Sequence, residues 1–322
     1  MVDLLGGIGD LVMLLPAIHG LARRNPGAAL RVLTHEPGAD LVRGDPAVTE
    51  VRTPRHGRPG AEREAVAEAL AVRRPDLAVT TTRHDGSHEL IAARVPRCVT
   101  DLWRRPPPDE PVGDRYLRIL HAEGLLGPED LGRPPRVWLH EAEVAAGEVV
   151  LAGCLPPTTR RPPVVLVPDT GMAVKRWPPE RWRDLARILA ARGHPVLAVA
   201  PLPDAPAVPL PAGDLRRLAA CFRAVAARDG IVVGGDTGPV RLAGAAGARV
   251  VALFGPTSAL RYGIPGAVNL QGAPHCPHRR PTSIAEQVCW WEAKCPLSFD
   301  GPACMADIGV DRVVGAVAQL TG

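Results

Sequence analysis

The residues with the clearest chemical potential follow the apolar run Ile231–Val233, where the sequence reads GGDTGP before a stretch of small residues. A helix is predicted to begin there, and the first turn of a helix leaves backbone N–H groups unpaired, which attract phosphate above all. Thr237, Gly238 and Pro239 are therefore candidates for binding a diphosphate. Asp236 is predicted to orient the loop or to hydrogen-bond a sugar or base. The alternative is an ordinary helix cap without a ligand.

A second candidate follows the predicted strand 164–167. Lys175 is one of only two lysines among 38 basic residues, the other being Lys294. A compact ammonium group suits phosphate, and the adjacent Arg176 is a candidate second cation. The alternative is a solvated basic turn before a helix that Pro179 begins.

The third candidate is the glycine-rich turn between the first predicted strand and helix. Gly7 and Gly9 allow a tight turn and a close backbone approach to substrate, and Asp10 is a candidate general base or a simple N-cap. A dinucleotide fingerprint would need a third glycine where Val12 stands, and Glu36 is the only acidic candidate for its ribose partner. A nicotinamide-dependent oxidoreductase is therefore disfavoured.

Composition excludes several classes of protein. The 322 residues are 46% hydrophobic, 22% charged and 3% aromatic, with a formal net charge of +4. Few aromatics and a mild charge argue against nucleic-acid binding. No apolar run is long enough for a transmembrane helix, the N-terminus lacks the pattern of a signal peptide, and seven cysteines form no secreted disulfide framework. A cytoplasmic protein is expected, although a short first strand leaves open whether the chain starts upstream of Met1.

Strands and helices alternate along the chain, which predicts an α/β protein with parallel sheets. Predicted strands cover Val2–Leu5, Ala29–Thr34, Val48–Arg52, Asp76–Thr81, Arg97–Thr100, Val164–Val167, Pro195–Val199, Ile231–Val233 and Arg249–Phe254. Predicted helices cover Asp10–Arg24, Ala61–Arg73, Glu89–Arg94, Asp114–Gly124, Glu141–Ala152, Pro179–Ala191, Asp214–Arg228 and Thr237–Ala246. The Pro-rich stretch Leu155–Pro163 divides two Rossmann-like domains, 1–155 and 156–322.

Three blocks together resemble the heptosyltransferase-like enzymes of glycosyltransferase family 9. They are GGIGDLVMLLPAIHGL at Gly6–Leu21, VKRWPPERWRDLARIL at Val174–Leu189 and GGDTGPVRLAGAAGARVVALFGPTS at Gly234–Ser258. The tail, with Cys276, Cys289, Cys295 and the run from Cys304 to Ile308, also resembles members of that family.

The resemblance implies the GT-B fold, two Rossmann-like domains facing each other across a cleft. The C-terminal domain would bind a nucleotide-diphosphate sugar, often ADP-heptose, and the N-terminal domain a hydroxyl acceptor, with peripheral membrane contact if the acceptor is a glycolipid. Transfer would be inverting, with no cofactor and no metal. Asp10 matches the family's base, Lys175 its phosphate-binding lysine, and Asp236, Thr237 and Gly238 its phosphate and sugar loop. No Asp-x-Asp pair, the usual seat of Mg²⁺ in the other major glycosyltransferase fold, occurs in the sequence.

Two departures from the family pattern keep a second function open. Arg241 stands where many members have histidine; it can neutralise a diphosphate but cannot titrate. The Pro-rich segment Ala200–Pro206 replaces a Gly-rich loop and offers no glutamate for the nucleoside. The alternative is a non-catalytic sugar-nucleotide binding protein.

The cysteine tail allows two interpretations. Cys276, Cys289, Cys295 and Cys304, with two nearby histidines, could ligate zinc, but their spacing lacks a tight C-x-x-C pair. Free structural thiols are the favoured expectation.

Overall fold

The computed structural model describes residues 1–3, 6–55, 57–102, 104, 107–157 and 160–321. The chain forms two compact units. The first comprises Met1–Pro106 and Val112–Trp138, and the second comprises Pro107–Pro111 and Leu139–Gly322.

A five-stranded parallel sheet forms the centre of the first unit, in the order β3-β2-β1-β4-β5. Its strands are β1 (Val2–Asp3), β2 (Arg31–Leu33), β3 (Glu50–Arg52), β4 (Leu77–Thr80) and β5 (Arg97–Val99). Asp3, at the end of the central strand, pairs in register with Leu33 on one side and Thr80 on the other. Parallel strands all end at the same edge, so the loops after β1, β2 and β4 meet there.

The part of the first unit that the structure describes also contains four α-helices: α1 (Ile8–Arg24), α2 (Ala61–Val72), α3 (Ser87–Arg94) and α4 (Val112–Ala122). Ten residues of α1 are buried, almost a continuous run from Leu11 to Leu21. An apolar face of this length supplies the burial that stabilises a helix packed on a sheet.

The second unit holds a six-stranded parallel sheet in the order β11-β10-β9-β6-β7-β8. Its strands are β6 (Val164–Val167), β7 (Val196–Ala198), β8 (Val208–Pro209), β9 (Ile231–Gly235), β10 (Arg249–Phe254) and β11 (Val268–Gln271). Every residue of β6 and β9 is buried, as their unbroken apolar sequences require of central strands covered on both faces.

Seven α-helices occur among the described residues of the second unit: α5 (Glu141–Cys154), α6 (Pro179–Ala191), α7 (Leu215–Ala226), α8 (Gly238–Ala245), α9 (Ala259–Tyr262), α10 (Ala303–Ala306) and α11 (Val310–Thr321). Trp177 and Trp182 meet edge to face in the core, with ring centroids 4.8 Å apart. The Trp177 indole N–H donates to the Ile308 carbonyl at 2.8 Å, which ties the tail of the chain to the segment before α6. No helix among the described residues has the length and apolar character needed to cross a bilayer.

Most predicted elements agree with the structure to within a few residues. The first predicted helix begins earlier than expected, at Ile8 rather than Asp10, and Leu4 and Leu5 of the first predicted strand lie outside the described residues. Five of these elements were not predicted, namely β8, β11, α9, α10 and α11. Both residues of β8 are exposed and β11 is only half-buried, so neither carries the apolar run that reveals a strand in sequence.

The division between the two units lies at Trp138 and Leu139 rather than at the predicted 155/156. Helix α5 packs closely against α7, and a Cβ added at Gly147 of α5 would overlap the backbone carbonyl of Ala220 in α7. The helix before the Pro-rich stretch therefore belongs to the second unit, and the prolines do not mark the boundary.

The α5–α7 contact predicts opposite effects for two glycine substitutions in one helix. Gly147→Ala should lower the free energy of unfolding by about 1–3 kcal/mol, because the methyl group has no room. Gly153→Ala, where nothing lies within 4 Å, should raise stability by up to about 1 kcal/mol through helix propensity. Urea unfolding of both variants measures the difference; equal effects would contradict this packing.

Candidate functional site

The site in the second unit begins where β9 ends and α8 starts. Gly234 lets these elements approach, since an added Cβ would overlap Val240 of α8 and lie 2.9 Å from the Val167 Cβ. Asp236 follows the strand directly and is 7% exposed. A carboxylate in such a place requires charged partners.

Two cations and a hydroxyl surround the Asp236 carboxylate. Lys175 Nζ lies 2.8 Å from Oδ2 and 3.2 Å from the main-chain oxygen of Asp236. Arg241 Nη2 lies 2.6 Å from Oδ1 and also donates to the Tyr262 carbonyl. The Thr257 hydroxyl donates to Oδ2 at 2.9 Å. One carboxylate thus joins the loops that follow β6, β9 and β10.

The electrostatics of this cluster favour an ionised carboxylate. Burial alone would raise the pKa of Asp236, but the charges of Arg241 and Lys175 and their hydrogen bonds outweigh burial and lower the pKa to about 2. Two cations therefore face one anion, and a net positive charge remains beside the first turn of α8. That combination attracts an anionic ligand.

The first turn of α8 holds the predicted phosphate-binding residues. Thr237 is the N-cap residue, with extended backbone angles, and its buried Oγ1 has no hydrogen-bond partner among the described residues. Gly238 is the first helical residue and Pro239 the second, where the missing proline N–H costs no helical hydrogen bond. The unpaired hydroxyl and the free N–H groups of this turn are groups that a phosphate oxygen can satisfy.

The two predicted arginines take different places. Arg241 is 6% exposed and engaged with Asp236. Arg176 is exposed, and its side chain makes no hydrogen bond or ion pair with a described residue. The second cation of the cluster is therefore Arg241, while Arg176 lies outside it.

Trp290 and Thr257 complete the surroundings and were not predicted. Lys175 Nζ lies 5.5 Å from the centroid of the Trp290 ring, within the range of a cation–π contact. Trp290 packs with Val174 and Cys289. Thr257 belongs to the FGPTS block, and this motif could have identified it as a site residue. Trp290 lies 115 positions beyond Lys175, and no sequence pattern connects the two.

Asp10 lies in the first turn of α1, in the first unit. The N-cap residue is Gly7, and Asp10 accepts its N–H through Oδ2 at 3.0 Å from the third helical position. A Cβ added at Gly6 would lie 3.0 Å from the Asp10 Cβ, so the glycine turn allows the backbone to pass beside the carboxylate. Gly9 belongs to the same turn of helix. Asp10 thus caps the helix without being its N-cap residue.

The cysteine tail holds free thiols. All seven cysteines are unpaired, and the four of the tail do not form a group with ligand atoms close enough for one metal ion. Burial raises the pKa of the Cys304 thiol to about 12, and burial also raises that of Cys289. Both thiols are protonated at neutral pH, which suits packing rather than redox chemistry.

Solved structures confirm the GT-B fold class. The chain is similar to a glycosyl transferase family 9 protein of Veillonella parvula DSM 2008 (TM-score 0.73, 16% identity, 99% of this chain and 96% of that chain). It is also similar to E. coli ADP-heptose LPS heptosyltransferase II (TM-score 0.68, 18% identity, 99% and 97%). A third is the iron-containing dodecameric glycosyltransferase TibC of enterotoxigenic E. coli H10407 (TM-score 0.60, 15% identity, 99% and 74%). No curated protein matches the chain in sequence.

The class defined by these comparisons is accordingly a protein with the GT-B fold of glycosyltransferases. Residues 139–273 match the family model "Glycosyltransferase family 9 (heptosyltransferase)", and this span includes Lys175, Asp236, Arg241 and Thr257. The family resemblance drawn from the motifs is confirmed over these residues, which include two of the three motif blocks.

The buried ion pairs predict a large cost for removing one partner. Arg241→Met should lower the free energy of unfolding by about 3 kcal/mol, because Asp236 loses one of its two cations. Arg249→Met breaks the exposed pair with Asp229 and should cost less than about 1 kcal/mol.

The difference in the free energy of unfolding between Arg241→Met and the unsubstituted protein should depend on pH. The folded pKa of Asp236 is about 2 and its ordinary value is 3.8, so its stabilising contribution is full above 3.8 and is lost as pH falls through 2. Urea unfolding of both proteins, measured from pH 6 downward, tests this. The difference in the free energy of unfolding should shrink as the pH falls. A difference that grows on acidification would contradict the ion pair between Asp236 and Arg241.

Proposed function

We propose that the chain transfers a heptose or related sugar from a nucleotide-diphosphate sugar to a hydroxyl acceptor in the cytoplasm, with inversion. The observation that supports this most directly is the Lys175–Asp236–Arg241 cluster beside the first turn of α8. It lies within the span that matches the heptosyltransferase family. The second unit binds the donor in this proposal, and the first unit binds the acceptor.

The donor diphosphate binds at the first turn of α8. Its oxygens accept from the Thr237 hydroxyl and from N–H groups of that turn, and Pro239 presets the helical backbone. Lys175 is the cation that meets the diphosphate, since its side chain is 17% exposed whereas that of Arg241 is 6% exposed. Arg241, which is buried, adds its positive charge from the protein interior and holds Asp236 in place through their ion pair. Arg176, exposed beside Lys175, is available to the distal part of the donor.

Transfer is a single displacement at the anomeric carbon. Asp10 takes the proton of the acceptor hydroxyl, and the oxygen forms a bond to the anomeric carbon as the bond to the diphosphate breaks. The nucleoside diphosphate leaves with the electron pair, and Lys175 and the helix N–H groups stabilise its added charge. In this proposal the acceptor lies beside Asp10 and against the backbone of Gly7 and Gly9; a Cβ added at Gly7 would lie 3.6 Å from Asp10 Oδ2.

ADP-heptose is the first donor to test, because the E. coli neighbour is called an ADP-heptose LPS heptosyltransferase. The loop between β7 and β8, which contains the Pro-rich segment, offers no glutamate to a nucleoside. UDP and GDP therefore belong in the same thermal-shift series. A donor class is assigned by the diphosphate that raises the melting temperature most.

The reacting site needs no metal in this proposal, because Lys175 and α8 already supply positive charge to the leaving group. The iron-containing TibC neighbour gives a specific reason to test this point. Transfer measured after exhaustive chelation should proceed at its original rate. Loss of transfer, with recovery when iron is added back, would contradict metal independence.

Two substitutions separate the roles of donor site and base. Lys175→Ala should weaken binding of the nucleoside diphosphate and cost about 3 kcal/mol in kcat/KM. Asp10→Asn should reduce kcat by about 10² to 10⁴-fold and leave diphosphate binding unchanged. ADP release from ADP-heptose is measured with a heptose-free lipopolysaccharide core and with soluble polyols as acceptors.

Matched controls lie within the same chain. Lys294→Ala removes the only other lysine, an exposed side chain paired with Glu292, and Asp114→Asn removes another acidic residue from the first turn of a helix in the first unit. Both should leave kcat unchanged. Diphosphate binding with no ADP release from any donor would favour the non-catalytic binding protein, whose support is Arg241 in place of histidine.

A further inference from the structure

The first unit gathers metal-ligand side chains at the carboxyl edge of its sheet. Glu62 lies in the first turn of α2, and His84 and Asp85 lie in the turn after β4. Among the described residues, these are the one group of histidines, cysteines and acidic residues whose ligand atoms all lie within 4.8 Å of one another.

The spacing of the ligand atoms suits a transition-metal ion. Glu62 Oε2 lies 3.1 Å from His84 Nδ1, which lies 3.4 Å from Asp85 Oδ2. Ligands at about 2.0–2.2 Å from one ion are about 3.0–3.5 Å apart in tetrahedral or octahedral geometry. Two of the three pairs of atoms therefore already stand at separations that coordination requires, and the third pair lies within 4.8 Å.

A supporting set of hydrogen bonds orients both carboxylates. His35, which follows β2, places Nε2 2.9 Å from Glu62 Oε1, so that Oε2 faces His84. The Gly60 N–H donates to Asp85 Oδ2 at 3.0 Å. Arg63 donates to the main-chain oxygens of Asp85 and Gly86, which holds the turn against α2. Outer contacts of this kind are typical of metal sites.

Buried polar atoms without partners supply an independent indication. Glu62 Oε2 is buried and, apart from its proximity to His84, accepts no hydrogen bond from a described residue. Asp3 is fully buried; its Oδ2 accepts from Thr80, and its Oδ1 accepts from no described residue. A bound cation would supply a partner to Glu62 Oε2.

We propose that Glu62, His84 and Asp85 bind one divalent transition-metal ion that ties the turn after β4 to the start of α2. Imidazole with carboxylates favours zinc, iron or manganese over magnesium. Three protein ligands leave at least one position for water. The ion takes no part in the proposed sugar transfer, and the tests of the site read metal binding rather than turnover.

The experiment uses the full chain, purified without a histidine tag and freed of metal by chelation. Titration with Zn²⁺ followed by calorimetry should show binding at this site, and Mg²⁺ should show none. His84→Ala and Asp85→Asn should each weaken that binding at least about 100-fold, exceeding the effect of an outer contact. Asn tolerates the positive φ of 51° at position 85, so Asp85→Asn should fold normally.

Glu64→Gln is the matched control, since it removes an exposed carboxylate two positions from Glu62. Its Zn²⁺ affinity should equal that of the original protein. Substitution with Co²⁺ distinguishes this site from the cysteine tail, because nitrogen and oxygen ligands give visible bands without thiolate charge-transfer absorption.

Two results would overturn the proposal. One is Zn²⁺ affinity unchanged in both His84→Ala and Asp85→Asn. The other is Co²⁺ bound only with thiolate charge-transfer absorption, which would assign the metal to cysteines. Because neither readout depends on turnover, failure of this proposal leaves the proposed transferase function standing.

Discussion

The second unit depends on the neutralisation of one buried carboxylate. Asp236 is 7% exposed, and a charge so far from water is tolerated only with close opposite charges. One of these charges is Lys175, which lies in the loop after β6, and the other is Arg241, which lies one turn into α8. Thr257, after β10, donates a third contact. The Asp236 carboxylate therefore holds three loops together at one edge of the sheet. No single one of these loops could bury that charge alone.

The same arrangement leaves the site with more positive than negative charge. Arg241 is also bonded to the Tyr262 carbonyl, so its guanidinium is fixed to the protein on two sides. Lys175 is the more accessible cation and makes a single ion pair. A ligand phosphate can therefore share Lys175 with Asp236 while Arg241 keeps the carboxylate in place.

Short stretches of sequence were sufficient to predict the elements whose formation depends on neighbouring residues. The apolar run Ile231–Val233 and the glycines after it predicted β9 and the start of α8, and the scarcity of lysine drew attention to Lys175. What local sequence could not predict arises from contacts between distant segments. Trp290 meets Lys175 across 115 positions, and the α5–α7 packing, rather than the prolines, determines the boundary between the units.

The two sheet edges carry different charged groups, and this difference bears on their ligands. At the edge of the second unit, Lys175 and Arg241 exceed Asp236 by one charge. In the first unit, Glu62 and Asp85 meet near His84, and the Glu62 charge acts on buried Asp3. A diphosphate is favoured by the first arrangement, because a desolvated anion gains only where opposite charge is already in place. The charge balance around Asp236 therefore supports the proposal that the donor diphosphate binds in the second unit.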